Sequence, residues 1–223
     1  MREMTRLPRV TYALIAINVL VFLAEKGQFT IAGETLHGTV ANEGFLSREA
    51  IVAHQYWRLI TNGFIHESIL HIGFNMYLLY LLGLMLEPSI GSARFALVYF
   101  TSLLCGSFGV LFWSNAQSIG ASGAVFGLLG FGAVELRSRG SSVMQSGIGM
   151  LIVLNLVITF LDPNISIGAH IGGLIGGVLA GLAFRYGDRH RLPALGISAC
   201  VALSVVAVAA SLLVASAPGG GIA

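Results

Sequence analysis

Gly120-Ala121-Ser122-Gly123-Ala124-Val125-Phe126-Gly127 sets one hydroxyl among small residues at the head of an apolar run. Two readings of it compete. It is a close-packing face, because glycines let the backbones of neighbouring helices approach. Or it presents a nucleophile at a helix start, where unpaired N–H groups and the positive end of the dipole favour developing negative charge. What the rest of the chain brings to the same depth decides between them.

The surroundings of that run are those of a membrane protein. Of 223 residues, 56% are hydrophobic and only 10% charged, with a mean hydropathy of +0.85, whereas an average soluble domain is roughly 25% charged. Apolar runs extend over about residues 10–24, 68–86, 93–113, 122–134, 143–161, 167–184 and 192–215. Each is a candidate bilayer-crossing helix, and the fourth is unusually short if it begins at Ser122. The small-x-small pattern of a cleavage site is missing before Glu25, so the first run is read as a span rather than a signal peptide. A net charge of +2 offers no field for nucleic acid. Cys105 and Cys200 lie in different runs, with neither a disulfide framework nor a metal-ligand spacing, and no metal or cofactor is implied.

Between the first two runs lies the only long polar connection, about residues 26–64, which includes His37, Glu43, Arg48, Trp57 and Arg58. Connections of this length without regular structure are often functional. Positive residues collect on the cytoplasmic side of a membrane. With the N-terminus inside, Arg2, Arg6, Arg9, Arg94, Arg137, Arg139, Arg185, Arg189 and Arg191 fall inside, and Lys26, Arg48 and Arg58 outside.

This topology turns three polar clusters toward the outer face: His66, His71 and Asn75 around the start of the second span, Ser122 at the start of the fourth, and His170 just inside the sixth. Polar groups within a span are costly and mark function by default. A serine hydroxyl needs a base to take its proton, and histidine is the usual one. Gly123 and Gly127 beside Ser122, with Gly173 and Gly177 after His170, would let those two helices meet. His71 and Asn75, four apart, share a helix face. They serve either as donors to an oxyanion, together with the Ser122 N–H, or as an interhelical hydrogen-bonding pair. Phe126, one turn after Ser122, is equally ordinary packing or a ring beside His170.

The ordered set of His-x4-His-x3-Asn, Gly-Ala-Ser-Gly and Ala-His-x2-Gly-x3-Gly, with Trp57-Arg58 and Gly83-x3-Glu87-x3-Gly91, resembles the rhomboid family of intramembrane serine proteases over about residues 57–181. The resemblance implies an all-α polytopic helical bundle: a six-helix rhomboid core plus one C-terminal transmembrane helix. It also implies a Ser122–His170 dyad without an orienting carboxylate and a hole for the oxyanion built by His71 and Asn75, with His66 and Gly120 supporting the site. His66 is expected near the water-facing opening. Trp57 and Arg58 would brace the structure from the leaflet side, and Gly83, Glu87 and Gly91 would form a structural motif at the cytoplasmic end.

On this reading, residues 1–9 are a short cytoplasmic N-terminus, 10–187 the protease core with its outer loop 26–64, and 188–223 the seventh helix and tail. The expected partners are transmembrane protein substrates and the lipid bilayer. Short loops and the absence of a transit peptide fit a bacterial cytoplasmic membrane. The alternative is a non-catalytic rhomboid-like protein that binds transmembrane clients; such proteins typically lack the serine or the histidine, and both are present here. A transporter would need polar residues along a path across the whole membrane, and the inner halves of these spans are almost wholly apolar.

Overall fold

A computed structural model describes residues 7–26, 29–31, 34–36, 44–113, 117–162 and 165–217. The expected N-terminal residues 1–6, the tail 218–223 and parts of the long connection, His37 and Glu43 among them, lie outside the described residues. The long helices are α1 (Arg9–Lys26), α4 (Ile69–Ile90), α5 (Ser92–Trp113), α6 (Ser122–Ser138), α7 (Ile148–Leu161), α8 (Ile167–Arg189) and α9 (Leu195–Ser216). They coincide with the seven apolar runs, and the chain is a polytopic helical membrane bundle. By length and apolarity alone, α4, α5, α8 and α9 suffice to cross a membrane. Helices α6 and α7 are shorter, at 17 and 14 residues.

Two features depart from expectation. The long connection is partly regular: a hairpin of β1 (Phe29–Ile31) and β2 (Glu34–Leu36), then α2 (Arg48–Val52), α3 (Arg58–Thr61) and a 3-10 turn over Asn62–Phe64. And α4 does not end at the Glu87-Pro88 turn signal but runs to Ile90, closing at Gly91 with φ 86°. A proline so near the end removes a single helical hydrogen bond, and the left-handed glycine beyond it is the actual stop.

The helices are apolar all round because they meet lipid on one side and each other on the rest. Leu79, Leu82, Phe95, Tyr99, Leu128, Leu129 and Phe131 fill the space between α4, α5 and α6, while Met150, Val153, Leu154, Val157, Phe160 and Leu161 leave most of α7 facing outward. Helix α8 lies at the centre, and it carries two glycine rows. A Cβ on Gly173 or Gly177 would fall on the carbonyl of Gly123 or Gly127 in α6, while one on Gly172 or Gly176 would meet Cys105 of α5. Both neighbours therefore press against α8 backbone to backbone, a closeness that only glycine permits. Helix α9 adds a stripe of small buried residues, Gly196, Cys200, Ala207, Ser211 and Ala215, and Ser204 Oγ donates to Thr101 Oγ1 of α5 at 3.1 Å.

At the end of the bundle away from Ser122, Glu87 is 1% exposed. Its carboxylate accepts from Val10 N at 2.9 Å, Thr11 N at 2.8 Å, Thr11 Oγ1 at 2.7 Å and Ser92 Oγ at 2.5 Å. The first-turn N–H groups of α1, which no intrahelical carbonyl can satisfy, are thus capped by an acid on α4. Gly83, one turn earlier on α4, leaves room for the Thr11 side chain that takes part.

Candidate active site

Serine caps fix where the two histidine-bearing helices begin. Ser68 Oγ accepts from His71 N at 3.2 Å at the start of α4, and Ser166 Oγ accepts from Ala169 N at 3.2 Å at the start of α8. Each satisfies one orphan donor of a first turn. His71 and His170 consequently project from the first turns of their helices. Ser122 is the first residue of α6, so all three side chains share one level of the bundle.

They meet at a cavity of about 560 Å³, lined by Ser122, His170, His71, Asn75, Phe126 and Asn155, among other residues, with Glu67 and Asp162 also on its wall. His170 is 7% exposed and its ring lies against Phe126, with centroids 4.1 Å apart and planes 16° apart. Its Nδ1 is 2.6 Å from Thr159 Oγ1 on α7. A direct Ser122–His170 hydrogen bond is not among those formed by the described residues; free enzymes often hold such pairs loosely and tighten them on binding.

The segment leading into Ser122 is held from the long connection. Leu46 and Ser118 exchange backbone hydrogen bonds of 3.0 and 2.9 Å, and Gly120 N donates to Asn62 O at 2.8 Å. Ala121 N donates to His66 Nε2 at 3.4 Å. Burial, with His71 as a second cause, pushes the His66 imidazole down to about 4, so the ring is neutral and can accept that bond. His66 is 1% exposed and does not line the cavity. Its ring stands edge-on to His71, with centroids 5.0 Å apart.

Gly120 has φ 112°, and a Cβ there would meet the His71 ring, with Nε2 at 2.6 Å. Glycine at this position both supplies the left-handed turn and admits the imidazole. Asn75 Nδ2 donates to His71 O at 3.1 Å, which leaves its second N–H for the cavity. The Nδ1 of His71 is buried with no hydrogen-bond partner among the described residues.

Trp57 and Arg58 stand apart from this cavity. Arg58 is buried, its Nη1 donating to Phe45 O at 2.9 Å and its guanidinium 4.8 Å from the Phe45 ring centroid. Trp57 is 54% exposed at the start of α3. Gly83, Glu87 and Gly91 lie at the opposite end.

Thr159, Asn155, Asn62 and Ser107, at or beside the site, escaped the sequence reading. Thr159 carries the signal of a polar group inside an apolar run, with Asn155 four residues before it on the same face. Ser107 carries the same signal within α5, and Asn62, in the connection, carries none. Asn62 Nδ2 donates to Ser107 Oγ at 3.1 Å, and Ser107 Oγ donates to Leu59 O at 2.8 Å; only the fold brings the connection and α5 together there.

The Rhomboid domain profile matches residues 53–187. Rhomboid protease GluP of Bacillus subtilis is 35% identical over 180 residues, covering 79% of this chain and 35% of that protein. RHOMBOID-like protein 7 of Arabidopsis thaliana is 36% identical, over 64% of this chain and 48% of its own length. Inactive RHOMBOID-like protein 8 of the same plant is 34% identical, over 60% and 40% respectively. The chain thus spans between a third and a half of the length of these relatives.

Proposed function

This chain belongs to the rhomboid family, and we propose that it is an intramembrane serine endopeptidase that cuts transmembrane segments of other proteins through an acyl-enzyme. The observation that carries this reading is the convergence of Ser122, His170, His71 and Asn75 on one cavity.

In the first step Ser122 Oγ attacks the scissile carbonyl carbon while its proton passes to His170 Nε2. The oxyanion is held by the N–H of Ser122, which has no intrahelical acceptor, and by donors of His71 and Asn75. Collapse breaks the C–N bond, and the proton on His170 goes to the leaving amine. Water, deprotonated by the same nitrogen, then attacks the ester carbonyl; the bond from that carbon to Oγ breaks, and the proton on His170 returns to Ser122. The cavity supplies the polar surroundings that bilayer hydrocarbon denies to water. A substrate helix hides its carbonyls in its own hydrogen bonds, so helix-weakening residues near the cut favour cleavage.

The positive residues support an N-terminus in the cytoplasm and an active site toward the outer face, and the short loops fit a bacterial inner membrane. Residues 10–187 form the catalytic core, and α9 has no catalytic role.

Fluorophosphonate labelling tests the reading without knowledge of a substrate. Wild type labels, while Ser122→Ala and His170→Ala do not, and both variants lose cleavage of a model transmembrane substrate while remaining folded. Undiminished labelling of Ser122→Ala would remove Ser122 as the nucleophile. A wild-type chain that never labels yet retains transmembrane clients would instead be a non-catalytic client-binding protein.

A further inference from the structure

We propose that Thr159 is the positioning residue of the dyad, its hydroxyl standing where a carboxylate would otherwise hold the histidine and set its tautomer. The inference rests on the Ser122–His170 reading above.

Thr159 is 1% exposed. It is the only buried residue in the half of α7 that reaches the cavity; the other buried residues of that helix, Ile148 and Gly149, lie at its start. Thr159 Oγ1 makes two contacts of 2.6 Å, one to Asn155 O and one to His170 Nδ1. The hydroxyl has one hydrogen and the Asn155 carbonyl can only accept. If that hydrogen goes to Asn155, the hydroxyl oxygen accepts from Nδ1–H, and both contacts are hydrogen bonds. If His170 carries its proton on Nε2 instead, the Thr159 hydrogen must turn to Nδ1 and the bond to Asn155 is lost.

The arrangement with more hydrogen bonds is therefore the one with a proton on Nδ1 and a lone pair on Nε2. That lone pair is what the first step needs. Once His170 takes the proton from Ser122, Nδ1–H becomes a donor on an imidazolium, and its bond to Thr159 strengthens. Phe126 fixes the plane of the ring from its face, and Thr159 fixes its rotation within that plane. Neither contact occupies Nε2.

The test compares Thr159→Val, which keeps shape and removes the hydroxyl, with Thr159→Ser, which keeps the hydroxyl and removes a methyl, both in the full chain. The rate of fluorophosphonate labelling and the kcat for a model transmembrane substrate should fall about tenfold or more in Thr159→Val, a part of the 10²–10⁴ that a positioned base supplies. KM and the melting temperature should stay in place, and Thr159→Ser should run close to wild type. Equal losses in both variants, or wild-type labelling of Thr159→Val, would overturn the proposal. Should Thr159→Val fold poorly, ¹⁵N spectra of His170 in the wild type decide: Nδ1 protonated is expected, and Nε2 protonated would overturn it. Loss of the dyad reading itself shows separately, as labelling that survives Ser122→Ala.

Discussion

Phe126 and His170 lie face to face, 4.1 Å between ring centroids, although one belongs to α6 and the other to α8. The same α6 turn that begins with Ser122 therefore ends with the residue that stacks on His170. Phe126→Tyr keeps the ring and should retain turnover. Phe126→Leu keeps the bulk without the π-face, and its kcat should fall roughly two- to tenfold, the equivalent of the 0.5–1.5 kcal/mol carried by an aromatic pair. An unchanged kcat in Phe126→Leu would reduce Phe126 to packing.

On the proposed mechanism, Asn75→Ala removes one of several donors to the oxyanion. A single such donor is worth on the order of 10²–10³ in kcat where it acts with few others. Here the Ser122 N–H and His71 remain, so a partial loss is expected, with KM nearly constant. Full activity would return Asn75 to its structural bond with the His71 carbonyl.

The glycine rows of α8 make opposite forecasts for residues of one type. Gly177→Ala drives a methyl into the Gly127 carbonyl, and overpacking of that kind costs about 1–3 kcal/mol. Gly73 on α4 has nothing within 4 Å of the point where an alanine methyl would stand, so Gly73→Ala should leave the melting temperature unchanged or raise it. Thermal unfolding in detergent with activity measured in parallel checks both. Gly177→Ala should lose activity along with stability, since α8 carries His170.

Glu87→Ala leaves the first-turn N–H groups of α1 and the Thr11 hydroxyl without their acceptor. Hydrogen bonds to a charged group contribute about 1.5–3 kcal/mol, so the melting temperature should drop clearly. The folded fraction should still label at Ser122, because the substitution lies at the other end of the bundle. Lost labelling in fully folded protein would show that Glu87 acts on the chemistry.

The seven apolar runs announced the seven long helices because hydrocarbon leaves the backbone no partner but itself. Ser122 and His170 were legible for a related reason: a polar group in an apolar run has to be accounted for. Thr159 meets the same criterion yet does not stand out, since threonine is common in such helices and its partner lies on another one. The brace from Asn62 and Leu46 to the segment before Ser122 is made by backbone atoms, which side-chain identity does not encode. Pro88 misleads through a local rule, for it reads as a helix end while α4 runs on to Ile90.

Helix α7 has 14 residues and so measures about 21 Å, against roughly 30 Å of hydrocarbon in an ordinary bilayer. Its neighbour α6, at 17 residues, falls short by less. Lipid beside α7 must shorten to match, a deformation that costs a fraction of a kcal/mol for each Å of mismatch. Such thinning falls on the lipid-facing flank of α7, that of Met150, Val153, Val157 and Phe160. A helix of this length is matched better by thin membranes than by thick ones.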